Sequence, residues 1–446
     1  MNKTTLSISA LLFSAALTVS CAKQLSGDSP VAPVTSFTDM VVPSNFDWRM
    51  TQNVTTNFTS DAHQTMVYLS MPDASEPFSS FFVGKGVAPM TLSIPTAVDK
   101  IKVQYQKEGS LSAAIELPVV AGSISYAVPA DSKEVSEIHA AAPSSRGGDF
   151  RKPTNPETVI PAYGMGTLMF EDLYPAYGDY DFNDVVINYS VHLASLSNNK
   201  NQIDVLTATF RVASLGGTLP FEFYMQLDDV RASNVNKDYG CQVTNSKNAR
   251  DKVTITKISL DKSDGPVAFA IGGIKANKNT NSTLINSLRT QKTLFENQLV
   301  EVTVSIIFDK AVDIETLKDG KINFFIAKEV PSDNYQLYEI HCAGYAPTSH
   351  GEAEYWKCRN KSNLTDKCTQ SYTSNTNLVW AINIPTKIQH LYESKVVETA
   401  AGKNKVEYDI TDAYPQFKQW ATSGGLDCKT WYYDKNRNQD MLVPMV

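Results

Sequence analysis

The stretch MFEDLYPAYGDYDFNDVVINY, residues 169–189, ends in a strand and is crowded with acid before it. Val185-Val186-Ile187-Asn188-Tyr189 is mostly β-branched or aromatic, the composition that suits a pleated, half-buried surface. Glu171, Asp172, Asp179, Asp181, Asn183 and Asp184 precede it, the last four lying between Gly178 and the strand. In an extended backbone alternate side chains share a side, so Asp179, Asp181 and Asn183 are aimed together. Five carboxylates do not crowd together unpaired, because each disfavours ionisation of the next. Ca²⁺ resolves the repulsion, since it takes about six to eight oxygens and accepts Asp, Asn and backbone carbonyls alike.

The Asp-x-Asp-x-Asn spacing of residues 179–183 invites comparison with an EF-hand loop, and the comparison fails. The sixth position, where an EF-hand has Gly, is Asp184, and the twelfth, its bidentate Glu, is Ser190. The expectation is a calcium loop of another kind at the entry to a β-strand, with Asp179, Asp181, Asn183, Asp184, Glu171 and Asp172 as metal candidates. Two alternatives stand beside it: a turn whose acids accept backbone hydrogen bonds, and a glycosidase pair acting as general acid and base.

Working outward, period-two alternation recurs. Beyond the acidic stretch, strands are expected at Asp184–Leu193, Ile203–Val212, Phe221–Gln226, Lys252–Leu260, Val300–Phe308, Ile322–Ala327 and Leu378–Ile384. Before it, Met66–Leu69, Met90–Ile94 and Ile101–Tyr105 alternate between breaks of Pro, Gly and Asp. Short helices are expected within 283–296 and 311–318. The best helix is Asp409–Thr422, where Ile410, Tyr414, Phe417, Trp420 and Ala421 recur at helical spacing and Gly424-Gly425 stops it. The fold class is mainly β: an N-terminal β-sandwich-like domain at 41–130, a Pro/Ser/Gly-rich linker at 131–160, and a larger β-sandwich or jelly-roll-like domain at 161–435 with a few short helices.

At the N-terminus, Lys3 is followed by an apolar run from Leu11 to Val19 and then by Cys21. The run falls short of the ~20 residues that cross a bilayer, so residues 1–20 read as a signal peptide. Leu17-Thr18-Val19-Ser20-Cys21 resembles a bacterial lipobox, with Thr18 where Leu is commoner; it makes Cys21 the lipidation site and 21–40 a flexible tether. The expected location is the cell envelope, anchored by lipid, in the outer membrane of a Gram-negative bacterium. A net charge of −7, with no basic patch interleaved with aromatics, argues against nucleic acid.

Cys241, Cys342, Cys358, Cys368 and Cys428 follow the lipid site, an odd number in a compartment that permits disulfides. Cys358–Cys368 is the candidate bridge, closing the polar loop CRNKSNLTDKC. The competing assignment is zinc on His341, Cys342, His350 and Cys358, whose spacing matches no zinc module. There is no Gly-x-Ser-x-Gly elbow, no Gly-rich phosphate loop and no His-Glu-x-x-His, and the six His are scattered.

FEDLYPAYGDYDFNDVVINY is similar to the signature of the LruC-type domain, a family of bacterial envelope proteins. YEIHCAGYAPT, NLVWAINIPTKIQHLYES and AYPQFKQWATSGG followed by TWYY resemble its C-terminal blocks, covering about 165–433, and VPSNFDWRMTQNV resembles its N-terminal region. The resemblance implies an exported, β-rich, often lipid-anchored protein with calcium held by the Asp/Asn motif, here Asp179, Asp181, Asn183 and Asp184. It implies no reaction. The expected role is a calcium-stabilised binding or adhesion module for glycan or protein partners, with Tyr177, Tyr180, Trp356 and Trp431 as partner-binding candidates. A structural envelope component without a small ligand is the alternative, and a carboxylate-dependent glycoside hydrolase a further one.

Overall fold

The computed structural model describes residues 37–135, 156–196, 201–217, 219, 221–236, 239–244, 253–254, 257–261, 265–272, 275–276, 293–330, 336–351, 372–393, 395–399, 402–406, 408–433 and 435–446. The described residues lie within one compact unit, Val34–Val446. Among the described residues no helix is long and apolar enough to cross a membrane.

The first run of strands is β1 (Thr51–Thr59), β2 (Thr65–Ser70), β3 (Pro77–Val83), β4 (Thr91–Pro95), β5 (Lys100–Lys107), β6 (Ser110–Leu111), β7 (Ile115–Pro118) and β8 (Ser123–Ala127). The second begins with β9 (Glu157–Ile160), β10 (Gly166–Phe170), β11 (Val185–Ala194), β12 (Ile203–Ser214), β13 (Glu222–Arg231) and β14 (Gly240–Thr244). It continues through β15 (Val253–Thr254), β16 (Lys257–Asp261), β17 (Pro266–Gly272), β18 (Lys275–Ala276), β19 (Glu301–Val312), β20 (Ile322–Val330), β21 (Gln336–His341), β22 (Ala381–Ile384), β23 (Lys395–Thr399) and β24 (Gly402–Val406). The chain is mainly β, as its alternation requires.

A 12-stranded sheet runs β14-β19-β12-β11-β9-β3-β2-β5-β6, with β10, β22 and β7 paired off this path. Its hinge piece is β9. On one side Ser79 faces Thr158; on the other, Val191 faces Ile160 and Leu193 faces Thr158. Residues 157–160 of the stretch expected as linker are therefore strand, and the strands before and after it share one sheet. Thr158-Val159-Ile160 is β-branched, which favours extended pairing over a tether.

A five-stranded sheet, β16-β17-β13-β20-β21, packs on the β11–β12 region. Phe223 meets Phe210 at 5.0 Å and Phe324 meets Tyr189 at 4.7 Å between ring centroids. A three-stranded sheet, β4-β1-β8, meets the 12-stranded sheet where Phe58 of β1 contacts Phe81 of β3 at 5.8 Å. Buried residues of all three sheets form one continuous apolar cluster. Strand β2 is buried at every position because both of its faces are covered: Val67 and Leu69 enter that cluster, while Met66 and Tyr68 pack with Phe82 in a smaller one.

A second apolar core joins the N-terminal segment to the C-terminal helices. Phe37 stacks on Tyr180 at 4.2 Å, Trp48 meets Trp420 at 5.6 Å, and Phe417 meets Trp431 at 4.7 Å. Phe37 and Met40 are buried, so the segment expected as tether is already core at its end. The helix expected over Asp409–Thr422 is two, α1 (Ile410–Ala413) and α2 (Gln416–Thr422). Pro415 lies between them; it brings no N–H to the ladder and clashes with the preceding turn. Asp409 and Asp412 form a capping box on α1, and Gly424 and Gly425 end α2 with positive φ. The region expected as 311–318 helix holds a 3₁₀ turn at Ile314–Thr316. Past residue 435, Leu442 and Val443 are still buried, so the body runs beyond the expected boundary.

Candidate metal centre

Strands β10 and β11 pair antiparallel from Gly166↔Tyr189 to Phe170↔Val185, so Glu171 and Asp184 leave the ladder side by side. The chain between them must return within a short span. It does so through Tyr180 and Phe182, which both have left-handed backbone at φ +57° and +54°. For bulky side chains that conformation costs on the order of 1–3 kcal/mol each and persists only where the surroundings impose it. Both rings are fully buried in the second core. Their rings fix the backbone on either side of Asp181.

Three carboxylates converge there. One oxygen each of Glu171, Asp179 and Asp181 lies within 4.8 Å of the others. Glu171 is 1% exposed and Asp181 2%; Asp179 is half-buried. Glu171 Oε1 accepts from the Phe182 N–H at 2.6 Å, while Glu171 Oε2 is buried without a hydrogen-bond partner. Asp181 accepts from the Asn183 N–H at 3.0 Å and from its side-chain amide at 2.5 Å. Neither Glu171 nor Asp181 pairs with a Lys or Arg among the described residues.

The remaining predicted ligands sort differently. Asp172 and Asp184 form an adjacent pair: Asp184 Oδ2 accepts from the Asp172 N–H at 2.8 Å, and Asp172 Oδ2 accepts from the Leu219 N–H at 3.3 Å. Asn183 turns its amide nitrogen to Asp181, so it orients a carboxylate. Its own Oδ1 is buried with no hydrogen-bond partner.

The electrostatics follow from burial. Glu171 is pushed well above the ordinary carboxylate range by desolvation first and then by Asp184, Asp181 and Asp179. Asp181 is pushed up by desolvation, then by Asp179 and Glu393. Asp184 is pushed up to about 8 by desolvation and by Asp172. Asp172 is also raised by burial, partly offset by the Leu219 N–H and the Lys328 charge. Isolated buried carboxylates cost several kcal/mol apiece unless protonated or matched by a cation.

Glycines hold this packing. A Cβ on Gly178 would sit 2.4 Å from Glu171 Oε2, one on Gly216 1.8 Å from Asn183 Oδ1, and one on Gly217 2.5 Å from Asp172 Oδ2. Glu393 and Leu391 also reach the loop from after β22: Glu393 raises Asp181, and the Leu391 carbonyl accepts from Asn183 Nδ2 at 3.5 Å. Sequence reasoning passed over Glu393, Leu391 and Gly216. They lie in the quoted block HLYES or after β12, with no local spacing to tie them to residue 181.

Two partner-binding candidates are corrected. Tyr180 and Trp431 are fully buried and offer no ring to a partner. Their aromatic neighbours Phe37 and Phe417 make them core, which local composition does not reveal. Tyr177 is half-buried, its ring parallel to Trp380 at 6.3 Å, and Tyr433 is the exposed aromatic of the C-terminal run at 46%. Trp356, Cys358, Cys368 and Cys21 lie outside the described residues. His341 uses both ring nitrogens on Asn323 Oδ1 (2.9 Å) and Glu339 Oε2 (3.0 Å), which leaves none for zinc. Cys342 is buried, its thiol pushed up to about 12 by desolvation.

The fold is similar to a crystal structure described as a "Putative lipoprotein from Bacteroides ovatus", at a TM-score of 0.56 and 19% identity, over 86% of this chain and 99% of that one. No curated protein matches the chain. A family model described as a domain of unknown function (DUF4842) matches residues 201–432, just over half of the sequence and beginning after the acidic loop. The chain belongs to that family of domains of unknown function.

Proposed function

We propose that this protein is a lipid-anchored cell-envelope protein of a bacterial outer membrane, held by Cys21, whose β-rich body is stabilised by Ca²⁺ and serves as a binding module for glycan or protein partners. The observation that carries the calcium reading is the meeting of Glu171, Asp179 and Asp181 oxygens within 4.8 Å, two of the three groups almost wholly buried. The donor set fits a hard cation: every candidate ligand atom is oxygen, and Glu171 Oε2 has no hydrogen-bond partner. Glu171, Asp179 and Asp181 would hold the ion, which would supply positive charge where burial otherwise drives protonation. Asn183 orients Asp181, and the Phe182 N–H orients Glu171. The lipobox-like run at 17–21, the LruC-type resemblance and the fold likeness to the Bacteroides ovatus protein support the envelope reading.

A hydrolase using this pair finds little support, since Glu171 and Asp181 have no face open to a sugar. The metal-free structural turn is the competing reading, favoured by the two hydrogen bonds Asp181 accepts from Asn183. Thermal unfolding of wild type and Asp181→Ala, with calcium and with chelator, separates the two. A ligand bound only by the folded state stabilises it by about 2.7 kcal/mol at a hundredfold excess over Kd. A calcium-dependent rise in midpoint that Asp181→Ala abolishes is the expected result; no response in wild type would leave the structural turn.

A further inference from the structure

A cleft of about 340 Å³ opens on the face of the large sheet opposite the main core, within the ~300–1,000 Å³ range of small-ligand sites. Its floor follows from strand alternation. On β11, Ile187, Tyr189, Val191 and Leu193 enter the main core, so Ser190 and His192 point the other way. On β12, Leu206, Ala208, Phe210 and Val212 do the same, which leaves Thr209 and Arg211 beside them, with Ser190 directly opposite Thr209. Val159 and Met165, together with Phe78 and Ala162 from the margin of the main core, form apolar walls, and half-buried Tyr163 stands at the edge.

Two features define what fits. Ser190 is 4% exposed, and its Oγ has no hydrogen-bond partner. A buried hydroxyl left unmatched is destabilising, so a ligand that brings it a polar group is favoured. Both cations that line the cleft are matched, and Glu76 adds an exposed carboxylate at its rim. Arg211 Nε meets Glu301 at 2.7 Å, its Nη1 lies 3.8 Å from Glu296, and Lys387 pairs with Glu296. An anion therefore finds no unpaired cation there. Burial also holds the His192 imidazole neutral by lowering its pKa.

We propose that this cleft binds a ring of a neutral saccharide, its C–H face against the apolar walls and its hydroxyls on Ser190, Thr209 and the Arg211–Glu296–Lys387 network. A purely apolar ligand would leave Ser190 unmatched, and an anion would have to break the matched ion pairs. A saccharide offers both an apolar face and many neutral hydroxyls. This deepens the binding-module reading and rests on it, since it names the ligand class and the place.

Saturation-transfer NMR on the full chain tests it, using methyl β-glucoside, methyl β-galactoside, methyl β-mannoside, lactose and cellobiose as neutral probes, with glucuronate and glucosamine as charged ones. Saturable binding of at least one neutral probe is expected, weakened tenfold or more by Ser190→Phe, which fills the cleft, and by Tyr163→Ala at its edge. Should Ser190→Phe not fold, Tyr163→Ala carries the comparison. The proposal falls if no neutral probe binds, if a charged probe binds as well as the best neutral one, or if the folded variants bind like wild type. Calcium-dependent unfolding of the same samples reads the metal reading separately: a persisting calcium shift without saccharide binding removes the cleft assignment alone.

Discussion

The Phe182 N–H donates to Glu171 Oε1 at 2.6 Å, joining the two ends of the acidic loop across the turn that separates β10 from β11. One atom of Glu171 is thereby committed to holding the loop, and the other, Oε2, is buried without a hydrogen-bond partner. The loop's shape and its charge thus depend on the same side chain, and the two can be separated by changing the charge alone.

Glu171→Gln keeps an oxygen for the Phe182 N–H and removes one negative charge. In chelator the variant is expected to unfold at the same midpoint as wild type or higher, because a buried repulsion has gone. In calcium it should lose most of the wild-type gain. Scanning calorimetry of both proteins in both buffers checks this; an undiminished calcium shift in the variant would remove Glu171 from the ligand set.

Gly216→Ala places a Cβ 1.8 Å from Asn183 Oδ1 and 2.9 Å from the Asn183 carbonyl oxygen. Overpacking of this kind typically costs about 1–3 kcal/mol. Because Asn183 also orients Asp181, the variant should lose calcium response along with stability. Urea unfolding with and without calcium measures both, and a midpoint equal to wild type would show that the strand end yields without cost.

His192 lies on the cleft face of β11, and burial lowers its pKa from 6.5 in the folded protein. The unfolded chain takes up a proton as pH falls through that value while the folded chain does not. The stability is therefore fully present above the unfolded pKa and is lost as pH falls toward the folded one, by up to about 1.4 kcal/mol per pH unit. Between about pH 7.5 and pH 5.5, wild type should lose more stability than His192→Gln in matched urea titrations. Equal losses would mean the imidazole is protonated alike in both states.

Trp431 and Tyr433 are two residues apart and opposite in consequence. Trp431 is fully buried against Phe417 and Trp420, so Trp431→Ala should cost about 3–5 kcal/mol. Tyr433 is 46% exposed, and Tyr433→Ala should change stability by no more than about 0.5 kcal/mol. Chemical denaturation distinguishes them directly; similar losses would contradict the burial of one and the exposure of the other.

Much of the architecture was legible locally. Strands such as 185–194, 203–214 and 301–312 declare themselves through alternation, because a sheet face is set by neighbours two residues apart. The acidic loop was legible as a cluster, since its members lie within fourteen residues of one another. What the residues of a strand cannot announce is their pairing partner. That Ser79 and Val191 both lie against β9, that Glu393 approaches Asp181, and that Ser190 and Thr209 floor one cleft are contacts between segments distant along the chain. The same holds for Tyr180 and Trp431, whose aromatic character suits a binding surface and a core equally well. Their burial was decided only when Phe37 and Phe417 arrived from opposite ends of the sequence to cover them.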